Sequence, residues 1–406
     1  VYLEAGEPAK ARETFEKAIA IDAKNPAANL NLAQMAMDAK ELGKARKYYN
    51  TVLEHQPDSI TAQMGLVRLA ALEEDEPAFL ARLEQAAEAH PTALQPRLIL
   101  ARYHLALKRP EQVAPLFVNL EPLQKQSPQV LQLMALAQLS SGEHAKAQIT
   151  LSQLIESTPA NPGTHHLMAM AAMAAGDSEQ AQQELQAALE LDQNYVPSRL
   201  VLAKIALSDE AVEEFREHLG KLVPLVPENT DVLLLQAASA SMNDDLDSAI
   251  RVATRAFESA PNTATLLALG NYENAAGDLK KADQLYSDWL AENPTDVVVR
   301  LAFADALQKN QKIDQAMLQY EAALKDEPDN VIALNNLAWY LRDVAPTEAL
   351  EFAERANRLA PNNLAVLDTY AGVLARNSEY DSALRTIERA ILMASNRVPY
   401  RVRQAD

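Results

Sequence analysis

The chain has 406 residues, no cysteine, only 10 glycines, 48% apolar residues and a formal net charge of −19. Without cysteine there can be no disulfide, thiolate metal site or cysteine nucleophile. The acid excess argues against nucleic acid as a partner, because phosphate binding needs Lys and Arg to displace counterions. No apolar run nears the ~20 residues that span a bilayer.

The charge is unevenly placed. Residues 151–350 hold 13 Lys and Arg against 31 Asp and Glu, whereas the first 50 and the last 56 residues are each near +1. An acidic middle fits a basic partner or, more simply, a solvated outer face. Scarce glycine and abundant Ala, Leu, Glu and Gln predict helix along the whole chain, and no linker marks a domain boundary.

In chain order, Val1–Ala5 reads as the tail of a helix, followed by a turn and a second helix carrying Ala11. A start inside a helix predicts an incomplete first unit over residues 1–24, with something lost upstream. One pattern then recurs: a turn, an alanine, a bulky residue four later, a small residue three after that, and often a proline. The alanine position falls at Ala11, Ala45, Phe79, Val113, Ala147, Ala181, Phe215, Ala249, Ala282, Ala316, Ala349 and Ala383, at intervals of 34 residues except two of 33. A second small residue precedes it by about one turn and a helix, at Ala33, Ala101, Ala135, Ala169, Ala203, Ala237, Gly270, Ala304, Ala338 and Ala371, with Val67 the exception. Each period therefore predicts two amphipathic helices, A then B, whose small residues let the backbones approach. Pro57, Pro91, Pro159, Pro227, Pro261, Pro294, Pro328 and Pro361 stand where helix B must stop.

Three units depart from the pattern. Phe79, Val113 and Phe215 replace the alanine, which predicts wider A–B contact. Pro115 and Pro122 lie inside the expected fourth B helix and Pro224 near the end of the seventh, predicting early helix ends around residues 110–128 and 208–228.

Segments such as GKARKYYNTVLEHQPDS and GDLKKADQLYSDWLAENPTD resemble the tetratricopeptide-repeat (TPR) family, and the likeness covers residues 1–396. It implies an all-α fold, an α-α superhelix (right-handed TPR solenoid) of about twelve 34-residue repeats. The first is truncated over 1–24, eleven full repeats occupy 25–396, and 397–406 form a basic tail with Arg397, Arg401 and Arg403. The stretch ALNNLAWYLRDVAPTEALEFAERANRLAPNNLAVLDTYAGVL resembles bacterial TPR lipoproteins of the exosortase (PEP-CTERM) exopolysaccharide system. That resemblance implies a periplasmic protein, anchored at the outer membrane through a lipid attached upstream of Val1.

In the TPR family one stripe of helix A lines the concave groove. Carried onto this chain, the stripe includes Arg68, Arg102, His166, Met170, Asn271, Asn274, Asp305, Asn335, Trp339 and Arg342, with Gln34, Met37, Gln308 and Arg376 among its other members. Such a mixture of amides, cations and methionines implies protein or peptide partners. Asp305, Asn335, Trp339 and Arg342 form its sharpest patch, since tryptophan and arginine dominate binding hot spots. The family's two-carboxylate clamp is not matched: Asn271 and Lys309 fit it, but Leu267 and Ala302 replace an expected lysine and asparagine.

His166, Met170 and Met173 share one helix face and could gather a soft Cu(I) ion, but packing within a Met-rich repeat is the simpler reading. The acidic clusters Glu73–Glu76 and Asp244–Asp247 lack the glycine and terminal glutamate of a calcium loop. No Walker loop, GxSxG or HExxH occurs. The expectation is a non-enzymatic scaffold with no cofactor and no metal. The alternative is the recognition arm of a larger enzyme, such as a glycosyltransferase, whose catalytic domain lies outside these residues. Polysaccharide binding in the groove is disfavoured by the single tryptophan of the stripe. Oligomeric state is not written in the pattern.

Overall fold

A computed structural model of the chain describes residue 2 and residues 6–397. The expected helix tail at Val1–Ala5 falls almost wholly outside the described residues, as do Arg401 and Arg403 of the basic tail. All regular structure among the described residues is helical. It divides into two compact units, Val1–Leu202 and Ala203–Asp406.

The first unit holds α1 (Pro8–Ile21), α2 (Pro26–Asp38), α3 (Leu42–His55), α4 (Ile60–Leu72), α5 (Glu76–Ala89), α6 (Leu94–Ala106), α7 (Val113–Leu116), α8 (Pro122–Lys125), α9 (Pro128–Ser140), α10 (His144–Ser157), α11 (Pro162–Ala175) and α12 (Ser178–Leu191). Helix α13 (Val196–Ser208) carries the division. The second unit continues with α14 (Val212–Leu225), α15 (Thr230–Met242), α16 (Leu246–Ser259), α17 (Thr263–Ala275), α18 (Leu279–Glu292), α19 (Val297–Lys309), α20 (Ile313–Asp326), α21 (Val331–Leu341), α22 (Pro346–Leu359), α23 (Leu364–Arg376) and α24 (Tyr380–Arg397). A helices are α2, α4, α6, α9 and every odd-numbered helix from α11 onward.

Each hairpin is built from local signals. Asn25, Ser59, Asp75, Asn161, Asp177, Asn229, Asp245, Asp278, Asp296 and Asn330 cap the following helix by accepting a backbone N–H. Every proline assigned to a B-helix stop lies two residues beyond the end of its helix, as Pro57 does after His55. The recurring alanines are the contact points: Ala45, Ala147, Ala249, Ala282, Ala316 and Ala349 are fully buried. In the second unit the largest apolar cluster joins Leu266, Tyr286, Phe303, Leu307, Tyr320 and Leu337 across three successive hairpins. One hairpin cannot cover its own apolar face, so the core runs through neighbours.

The irregular units behave differently from one another. The fourth B helix is broken into a 3-10 turn at Pro110–Gln112, α7 and α8. Pro122 opens α8 where its missing N–H costs nothing, and the break lies before it at 117–121. Pro224 does not shorten its helix, against expectation. Helix α14 keeps the 14-residue length of the regular B helices, because Pro224 sits in the last turn and removes a single hydrogen bond there. Val113 and Phe215 are buried at the alanine position, while Phe79 is half-buried with its ring 6.2 Å from that of Tyr103.

Candidate partner-binding face

The A helices of the second unit carry a cavity of about 480 Å³ between α17 and α19. It gathers Asn271, Asn274 and Asp305 of the expected stripe, together with Lys309 and Asn310, over a wall of Ala302 and Ala306. Gly270, the neighbour of Asn271, lacks a side chain and so admits the Tyr286 ring. The Tyr286 hydroxyl donates to Asn271 Oδ1 at 3.4 Å, and Asn310 Nδ2 donates to Asn274 Oδ1 at 3.4 Å. Lys309 Nζ pairs with Asp305 at 2.8 Å. Burial, with the Asp305 carboxylate nearby, pushes the Tyr286 hydroxyl up to about 12, and the same two causes raise Tyr340. These tyrosines stay neutral donors across the physiological range.

Leu267, Asn271, Ala302 and Lys309 all line this cavity, so the family's clamp positions meet in space. Two of them carry aliphatic side chains, and the cavity lacks the polar groups a carboxylate clamp needs there.

Trp339 and Arg342 form a second cluster, in and just beyond α21. The Arg342 guanidinium carbon lies 3.3 Å from the Trp339 ring centroid, a cation–π stack, and Trp339 remains 39% exposed. Arg342 Nε donates to Asp343 at 3.2 Å, and Arg376 of α23 pairs with the same carboxylate. The Arg376 and Arg342 hydrogen bonds hold the Asp343 carboxyl below its usual range. Asn335, from the same helix, is half-buried with its Oδ1 making no hydrogen bond among the described residues.

In the first unit Arg68 is exposed and donates to Gln34 at 3.0 Å, from one A helix to the preceding one. Arg102 is exposed on α6. His166 and Met170 are half-buried on α11. The His166 ring lies 3.2 Å from Ser198 Oγ through Nδ1 and packs edge-on to Tyr195, and burial lowers its pKa. Met37, expected on the stripe, is instead buried in the core with Ala36 and Tyr49. Helical rotation carries it past the exposed edge.

Asp343 and Asn310 escaped the sequence reading. Both lie just past an A helix, where the pattern offers no repeat signal. The loop before Ala349 is also one residue short, so Asp343 sits off the register that marks the others.

Two tetratricopeptide-repeat family models match, one at residues 2–69 and 172–239 and the other at 301–363. The cellulose synthase operon protein C of Pseudomonas fluorescens (strain SBW25) is 24% identical over 372 residues, covering 86% of this chain but 27% of its own length. The chain thus spans about a quarter of that relative. Among solved structures, yeast Tom70 is similar with a TM-score of 0.52 and 17% identity, over 96% of this chain and 89% of its own. A tetratricopeptide repeat protein from Parabacteroides merdae ATCC 43184 is similar with a TM-score of 0.50 and 15% identity, over 61% of this chain and 99% of its own. At these identities the structural likeness speaks to the fold alone. Repeat period, paired helices and family matches agree: the chain carries tetratricopeptide repeats.

Proposed function

We propose that this chain is a non-enzymatic scaffold that holds protein segments along its A-helix face within the exopolysaccharide machinery of a bacterial cell envelope. The observation that carries the binding role is the Trp339–Arg342 stack, an exposed aromatic on a half-buried cation, next to a cavity-bearing stretch of A helices. The exopolysaccharide setting is supported by the likeness to a cellulose synthase operon protein. A periplasmic location and a lipid anchor upstream rest on the resemblance to exosortase-associated lipoproteins. No helix among the described residues is long and apolar enough to cross a membrane.

The test is affinity capture from envelope extract, comparing the native chain with a Trp339→Ala, Arg342→Ala double variant. Loss of specific partners from the variant, with its helix content retained, is the expected outcome. An identical partner set from both proteins would refute the role given to this cluster.

A further inference from the structure

Regular B helices such as α3 and α20 run 14 residues. The fourth stops half-way: α7 ends at Leu116, and 117–121 run outside any helix until α8 begins at Pro122. The repeat register is kept all the same, with Ala147 standing 34 residues after Val113, so only the second half of the B helix is missing.

One packing position goes with it. Eight residues beyond the recurring alanine, regular B helices carry an apolar side chain, as at Leu53, Leu189, Leu290 and Leu324, each buried or half-buried. Leu324 packs in one cluster with the fully buried Leu334 of the following A helix. In the fourth repeat this position is Glu121, which is exposed. Leu131, the counterpart of Leu334, is left lining a cavity of about 330 Å³ with Phe117, Val118, Val130 and Met134. A second cavity, of about 420 Å³, shares Leu131 and Gln153 with the first, so the two form one trough beside α10. Val118 is 64% exposed at its edge, and Leu123 of the adjoining α8 is 83% exposed.

The charge around the trough runs against that of the chain. Residues 91–150 hold six Lys and Arg against three Asp and Glu. Lys125 lines the first cavity, is exposed, and makes no ion pair among the described residues. Glu156 lines the second cavity and does not reach it. An apolar trough that stands where neighbouring repeats carry helical turns fits a helix supplied from outside, and the free ammonium favours an acidic one.

We infer that this trough, between the fourth and fifth B helices, takes an amphipathic helix of a partner protein, whose apolar stripe replaces the missing turns and whose carboxylate meets Lys125. The surface is separate from the A-helix face and independent of the role given to Trp339 and Arg342.

The test uses the full chain and three labelled helical peptides of about fourteen residues, followed by fluorescence anisotropy. The first has Leu at three- and four-residue spacing with Glu on its flanks. The second has the same composition with the stripe scrambled, and the third has Lys in place of Glu. The first is expected to bind about tenfold more tightly than the scrambled peptide and about fivefold more tightly than the Lys peptide. Gln153→Trp, which fills the trough from an exposed position, should weaken binding about tenfold with helix content unchanged, whereas Leu318→Trp on α20 should not. Lys125→Glu should reverse the preference between Glu and Lys peptides. Equal binding of the striped and scrambled peptides overturns the inference. So does a striped peptide that Trp339→Ala releases and Gln153→Trp does not, since it is then held on the A-helix face. A chain that ignores all three peptides but self-associates, with Gln153→Trp restoring the monomer, overturns it in favour of a second copy.

Discussion

The ring of Tyr286 occupies the space where a side chain at position 270 would begin: a Cβ built on Gly270 would lie 2.5 Å from Tyr286 Cζ and Oη. Glycine here is a matter of close approach between α17 and α18, and the buried tyrosine fixes it. Gly270→Ala should therefore destabilise the second unit by about 1–3 kcal/mol through overpacking, despite alanine's better helix propensity. Gly372→Ala in α23, where no atom lies within 4 Å of the built Cβ, should go the other way, stabilising by about 0.5–1 kcal/mol. Urea unfolding of the two variants checks the opposite signs. Tyr286→Ala combined with Gly270→Ala should cost less than the sum of the two.

Turns between A and B helices share a backbone feature that glycine would relieve. Lys40, Glu74, Lys108, Glu210, Asp244, Gln311 and Ser378 adopt positive φ at the same place where Gly142, Gly176 and Gly277 do. Left-handed backbone costs a residue with a Cβ about 1–2 kcal/mol, partly offset by glycine's greater entropy loss. Glu210→Gly should raise stability by up to about 1 kcal/mol, and Gly176→Ala should lower it by a similar amount. An unchanged or lower urea midpoint for Glu210→Gly would count against this reading of the turn.

Asp296 joins three helices. Its carboxylate accepts from Val299 N at 3.1 Å, capping α19, and from Thr263 Oγ1 at 2.7 Å and Trp289 Nε1 at 2.9 Å. Burial alone would raise its pKa, but these bonds, with a further one from the Val298 backbone, outweigh burial and hold it below the usual value. Because the folded-state pKa is depressed, its contribution is complete above the unfolded value of about 3.9 and is lost as pH falls through the folded value. Asp296→Ala should cost about 2–3 kcal/mol at neutral pH, for one cap and two further hydrogen bonds. The difference from native protein should shrink steadily below about pH 4. Trp289 fluorescence during urea unfolding reports it, and a pH-independent difference would contradict it.

The period, the helix pairs, the alanine contacts and the proline stops were all legible, because each follows from a local rule repeated at fixed spacing. Less legible was a set of polar residues in one register of the A helices. Asn29, Gln63, Arg97, Arg199 and Arg300 reach back to carbonyls of the preceding loop; Arg97 donates to Ala87, His90 and Ala93. Leu131, Leu233 and Leu266 occupy the same register, so residue type alone gives no consistent mark. Of the expected stripe, Asn271, Asn274 and Asp305 come together in one cavity. The ion pairs Lys204–Asp231 and Asp343–Arg376 were out of reach, since each joins residues of different repeats.

Which face holds partners can be read directly by site-specific photocrosslinking. A benzoylphenylalanine residue is placed either at Val298, exposed on the A-helix face, or at Leu318, equally exposed on the B helix α20. Adducts with envelope proteins from position 298, and none from position 318, are the predicted result. Adducts from position 318 alone would contradict a partner-binding role for the A-helix face.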